Sequence, residues 1–85
     1  MDKGFIYVLR CSDGRLYTGS TRDLAERLKD HKAGRVRTTK NRRPVEVIYT
    51  EEFSSYSDAR IREMYLKSGT GRTWLKNHAE GWPSG

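Results

Sequence analysis

The sequence predicts a small α+β domain: a three-stranded sheet, antiparallel or mixed, flanked by helices in the order ββαβαα. Three observations carry that expectation. Two runs rich in aromatic and β-branched residues flank the turn "CSDG", a later run "VEVIYTEEF" alternates in character, and capped segments of helical periodicity lie between and after them. In a chain of 85 residues, residues 1–80 read as a single domain with a modest core. Residues 81–85 read as a short loose tail, from which Trp82 could pack back.

The first two strands are expected at 4–11 and 15–19. A loop of residues 12–14, with Gly14 left-handed after a type I turn, pairs Cys11 with Arg15, Leu9 with Tyr17 and Tyr7 with Gly19. Opposed residues share a face, so Tyr7 and Tyr17 then point the same way. Ile6, Val8, Leu16 and Thr18 make the other, more apolar face. A two-residue Asp13-Gly14 loop is the competitor, and it would send the tyrosines to opposite faces. The first register gives the cleaner core and is preferred.

In "STRDLAERLKDHKAG", Asp23 followed by Glu26 is a capping-box signature and Gly34 is a fitting stop. Leu24, Arg27, Leu28 and His31 recur on one face of this helix. The third strand is expected at 45–53, after Pro44. Ser57 is expected to cap a second helix at 58–67, ended by "SGTG", and "RTWLKNHA" (72–79) reads as a short third helix.

The chain has 17 Lys and Arg against 11 Asp and Glu, a formal charge of +6. Its excess lies in "KAGRVRTTKNRR" (32–43), which contains no acid. Such a segment suits the phosphates of a polyanion, although a solvated basic loop is the plainer alternative. No apolar run reaches the roughly 18 residues of a membrane helix, and no leader pattern opens the chain. The single cysteine, Cys11, fits a reducing cytoplasm and is expected to be packed rather than nucleophilic. "SGTGR" lacks the ending of a phosphate-binding P-loop.

Tyr7, Tyr17, Arg27, His31 and Glu63 form the candidate chemical set. Each has an ordinary structural reading: strand aromatics, an Arg27–Asp23 pair, a histidine on the helix dipole, and a Glu63–Lys67 pair. Together they supply a proton acceptor, a cation and a carboxylate, which phosphoryl chemistry needs. Trp74 and His78 are read as packing or surface residues, and Arg60 and Arg62 as a solvated face.

"FIY" at 5–7 and "YTG" at 17–19, with tyrosines ten positions apart, resemble the motifs that name the GIY-YIG nuclease superfamily. "STRDLAERLKDH" (20–31) looks like that family's arginine helix, and "DARIREMYLKSGTGR" (58–72) like its glutamate helix. The likeness runs from Gly4 to about Leu75, and is nearest to small stand-alone bacterial members. Phe5 and Thr18 depart from the name motifs, and Ser20 stands where the family's DNA-repair branch has a lysine.

The resemblance implies DNA phosphodiester hydrolysis with one Mg²⁺ or Mn²⁺ ion, held by Glu63. It makes Arg27 the cation on the transition state, and Tyr7 or Tyr17, aided by His31, the activator of water. Glu63 enters the site by resemblance alone. DNA is the expected partner, in repair or recombination, recognised by structure or with weak sequence specificity. Gly19, Ser20, Arg35, Arg37, Lys40, Arg42 and Arg43 are the expected contacts, Gly19 by allowing close approach of a backbone. The alternatives are a non-catalytic nucleic-acid-binding module of the same fold, or a nuclease subunit that needs a protein partner.

Overall fold

The computed structural model describes residues 3–80, with no side-chain description at Ala79 and Glu80. Residues 81–85, including the expected tail and Trp82, lie outside the described residues. Strands β1 (Gly4–Arg10), β2 (Leu16–Thr21) and β3 (Glu46–Phe53) form one sheet in the order β2-β1-β3. Both pairings are antiparallel. Helices are α1 (Leu24–Ala33), α2 (Tyr56–Lys67) and α3 (Gly69–Leu75), with a 3-10 turn at Lys40–Arg42 and a π-helical turn at Lys76–Glu80.

The hairpin adopts the register that turn chemistry favours. Cys11 N–H donates to the Arg15 carbonyl at 2.8 Å, Gly14 N–H donates to the Cys11 carbonyl at 2.9 Å, and Gly14 has φ 85°. Leu9 therefore faces Tyr17 across the ladder, and Tyr7 faces Gly19. β2 runs two residues further than expected, to Thr21, which brings Ser20 opposite Ile6.

Alternation along β1 splits the sheet into two faces. Ile6 and Val8 point into a core with Ile48, Ala59, Leu66 and Leu75. Each of the isoleucine, valine and leucine side chains contributes roughly 1.5–3 kcal/mol by leaving water, a large share of the margin of so small a domain. That burial fixes α2 on this face. Tyr7 points to the other face, toward α1 and the 32–43 segment.

α1 is capped as expected: the Asp23 carboxylate accepts from Glu26 N–H at 3.1 Å, and Gly34 closes the helix at φ 81°. Two boundaries differ from expectation. Ser55, not Ser57, caps α2, its hydroxyl accepting from Asp58 N–H at 3.1 Å, so the helix starts two residues sooner. α3 begins at Gly69 rather than 72, because the Ser68 hydroxyl caps it through Gly71 N–H at 3.2 Å. A Cβ at Gly71 would collide with the Tyr65 carbonyl and Leu66, so the glycine serves close helix packing and does not break the helix.

Cys11 is buried, as expected. Trp74 and His78 stack with centroids 4.5 Å apart, and Tyr49 meets the Trp74 ring edge-on. Arg62 is not solvated as expected. It bonds Glu51 at 3.0 Å and lies 4.9 Å from the Trp74 centroid, so packing of α2 against β3 holds it.

Candidate active site at the free edge of the sheet

β2 is an edge strand, and the candidate site straddles its free side. A pocket of about 230 Å³ is lined by Tyr7, Tyr17, Gly19, Ser20, Arg27, Tyr56, Arg60 and Glu63. Tyr7 and Tyr17 reach it from one face of the sheet. Ser20 and Glu63 reach it from the other, where α2 packs.

Gly19 makes the crossing possible. A Cβ there would lie 2.5 Å from the Tyr7 hydroxyl oxygen. The glycine therefore makes room for the Tyr7 phenol, where the sequence suggested room for a phosphate backbone. Replacing Gly19 with alanine is expected to displace the phenol and lower stability by about 1–3 kcal/mol, measured by urea denaturation. An unchanged midpoint would remove this role.

Tyr7 sits at the centre of a buried polar chain. Arg27 Nε–H donates to the phenol oxygen at 3.3 Å, and that oxygen lies 2.9 Å from His31 Nε2. His31 Nδ1 lies 2.8 Å from the Thr39 hydroxyl. A phenol that donates to Nε2, with the imidazole hydrogen on Nδ1 donated to Thr39, satisfies all three groups while Arg27 donates to the phenol oxygen. The rings of Tyr7 and Tyr17 are 6.2 Å apart, and that of His31 is 5.3 and 5.1 Å from them.

Burial pushes the Tyr7 phenol up to about 12, against the lowering effect of its Arg27 bond. Burial first, and then the Arg27 charge, hold His31 below its ordinary value of 6.5. His31 and Thr39 are both 0% exposed, so the histidine faces Tyr7 and not a bound phosphate. The imidazole is neutral at pH 7, and acid must charge it. Unfolded chains take up that proton near 6.5, folded ones only at lower pH, so stability falls as pH drops through 6.5. Denaturation at pH 5.5 is expected to show a lower stability than at pH 7.5. A His31 resonance titrating at or above 6.5 contradicts this.

Glu63 accepts from the Ser20 hydroxyl at 2.5 Å and from Lys67 at 2.7 Å, with Arg60 at 3.8 Å. Burial acts to raise its carboxyl, but the Lys67 and Ser20 hydrogen bonds outweigh it and hold it below the usual range. Glu63 thus pairs with Lys67 and also lines the tyrosine pocket. Glu63 is the only carboxylate lining that pocket. No group of three or more His, Cys, Asp or Glu side chains gathers elsewhere among the described residues.

A single ionised carboxylate on an open pocket fits Mg²⁺, which takes one or two carboxylates and keeps several waters. Lys67 marks where positive charge is already favoured. Its side chain is 53% exposed, so it can yield the position to another cation.

The expected nucleic-acid contacts divide. Gly19 and Ser20 line the pocket, Ser20 as a partner of Glu63. Arg35 pairs with Asp30 at 2.8 Å and Arg42 with Asp13 at 3.6 Å. Arg43 donates to the carbonyls of Lys40 and Lys32, so it braces its own segment. Arg37 and Lys40 are exposed. The basic segment is no mere solvated loop, since Val36 and Thr39 are buried in it.

Tyr56 and Thr39 are the residues that sequence reasoning missed, and Arg60, read there as part of a solvated face, lines the pocket. Tyr56, Arg60 and Glu63 fall at i, i+4 and i+7 of α2, a spacing that could have joined them. The Ser20 hydroxyl, and after it the charges of Arg60 and Arg22, hold the Tyr56 phenol low against burial. Nothing in the sequence distinguishes Thr39 from Thr38.

The family model of the GIY-YIG catalytic domain matches residues 3–77. The chain belongs to the GIY-YIG family. It is 43% identical to a UPF0213 protein of Staphylococcus epidermidis over 95% of this chain and 100% of that one. A UPF0213 protein of Staphylococcus saprophyticus is 42% identical over the same shares. The solution structure of the UPF0213 protein BH0048 from Bacillus halodurans is similar with a TM-score of 0.58 and 32% identity, covering 93% of this chain and 87% of that one. GIY-YIG membership implies nuclease-type chemistry on DNA, with a divalent metal in general. No helix among the described residues is long and apolar enough to cross a membrane.

Proposed function

We propose that this GIY-YIG chain is a metal-dependent endonuclease that hydrolyses DNA phosphodiester bonds. One observation carries the reading: three phenols, two guanidinium groups and a lone carboxylate converge on a single pocket of about 230 Å³. Glu63 would hold one Mg²⁺ or Mn²⁺ ion, which when bound stabilises negative charge on the phosphate and the leaving oxygen.

The chain's own residues do the rest. Ser20 fixes the Glu63 carboxylate by its 2.5 Å bond. Arg27 offers a permanent planar cation to the crowded phosphate of the transition state. Tyr7 is a poor base alone, its phenol being pushed up to about 12. It accepts a proton from water as its own passes to the neutral His31 at Nε2, so the pair acts as the base. Tyr17 walls the pocket and supports the water. Arg37, Lys40 and their neighbours would add sequence-independent affinity, which suits structure-directed or weakly specific cleavage.

The test uses supercoiled, branched and single-stranded DNA with Mg²⁺ or Mn²⁺, against a chelator control. Cleavage of at least one substrate, lost on chelation, is expected. Binding without cleavage would leave only a nucleic-acid-binding module, and cleavage that survives chelation would remove the metal.

A further inference from the structure

Beyond Tyr17, along the same free edge of β2, lies a second and larger cavity of about 620 Å³. Tyr17 lines both spaces, and Lys67, one helical turn after Glu63, lines the second. Its apolar lining is Leu16 and Tyr17, both half-buried, over the packed core residues Leu66 and Leu75; its charged lining is Arg15, Arg42, Lys67, Arg72 and Lys76, with no carboxylate. Lys67 is paired with Glu63 and Arg42 with Asp13, whereas Arg15, Arg72 and Lys76 make no ion pair among the described residues.

We infer that this cavity is a nucleotide subsite. It holds one nucleotide of the substrate strand beside the phosphate that is cut, an assignment that rests on the nuclease reading. Size separates the two spaces: about 230 Å³ suits a phosphate with its attacking water, while about 620 Å³ falls in the range of small-molecule sites. Composition names the ligand. Unpaired cations without a carboxylate call for an anion, and an apolar wall behind them calls for a flat apolar body such as a nucleobase. A phosphate alone would leave Leu16 and the Tyr17 ring uncovered, and a purely apolar ligand would leave the cations unanswered. The shared Tyr17 wall gives the strand a continuous path along β2, with the base seated on Leu16 and Tyr17 and its phosphate on Arg15, Arg72 and Lys76.

The test is binding of deoxyadenosine monophosphate in chelator, read by amide and methyl resonances of the wild-type chain, with inorganic phosphate and deoxyadenosine as separate probes. The monophosphate is expected to shift Gly14, Leu16, Thr18, Leu66 and Leu75. Inorganic phosphate is expected to move only the cationic rim, and deoxyadenosine to bind at least about tenfold more weakly. The exposed double replacement Arg72→Gln and Lys76→Gln, its fold checked by circular dichroism, is expected to weaken the monophosphate by about tenfold or more. Equal binding of phosphate and monophosphate, shifts confined to the Arg27–Glu63 pocket, or an unaffected double variant each overturn the subsite. Because the readout needs neither metal nor cleavage, nucleotide binding by a chain that fails to cut DNA would remove the nuclease reading and keep the subsite. Cutting with no nucleotide in this cavity would do the reverse.

Discussion

Glu63→Gln is expected to abolish cleavage, by about a thousandfold or more, while DNA binding and the fold persist. The amide keeps the shape of the side chain and an oxygen that can still accept from Ser20, but it removes the one negative charge lining the pocket. Metal-borne charge stabilisation is worth several kcal/mol of transition-state energy, and about 4 kcal/mol is a thousandfold. Stability changes little, because the lost Lys67 pair is exposed on the lysine side and pairs of that kind contribute about 0–1 kcal/mol. The rate on supercoiled plasmid with Mg²⁺, set beside the urea midpoint and a gel-shift affinity, measures all three. A variant that still cuts at the wild-type rate removes Glu63 from the site.

Tyr7→Phe is expected to affect both activity and stability. Deleting the hydroxyl strips His31 Nε2 of its partner in a fully buried position and frees Arg27 Nε. A buried group left unsatisfied destabilises by about 1–3 kcal/mol. Losing general-base assistance slows cleavage by about 10²–10⁴. Tyr17→Phe leaves the Tyr7–His31–Thr39 chain intact and is expected to slow cleavage much less. If Tyr17→Phe proves the slower enzyme, the proton passes through Tyr17 instead. The wild-type rate is expected to hold steady above pH 6.5 and to fall with acid at lower pH, because the proton acceptor, His31, is held below 6.5 by burial.

How legible these features were depended on the range of the physics involved. The shared face of Tyr7 and Tyr17 follows from a three-residue loop and the two-residue period of strands, both local properties. The span of α1 follows from Asp23 and Gly34, which act within a turn of the helix ends. The starts of α2 and α3 were misplaced for a local reason: three serines, Ser54, Ser55 and Ser57, compete as caps, and "SGTG" reads as a breaker when Gly71 in fact serves packing. Glu63 was different in kind. Its partner Ser20 is 43 positions away, and no turn rule or periodicity spans that distance.

By itself the sequence determined the hairpin register, the Arg27–His31 helix face and the family motifs, because each is set by neighbours within a few residues. Only the tertiary structure decided that the two faces of the sheet meet at the free edge of β2. There Gly19 leaves room for the Tyr7 phenol, and core burial beneath α2 delivers Glu63 to Ser20. It also decided that His31 lies buried behind Tyr7, with Thr39 completing its hydrogen bonds. The physical reason is that burial acts on whole faces and assembles residues far apart in the chain, while hydrogen-bond geometry selects which of them meet.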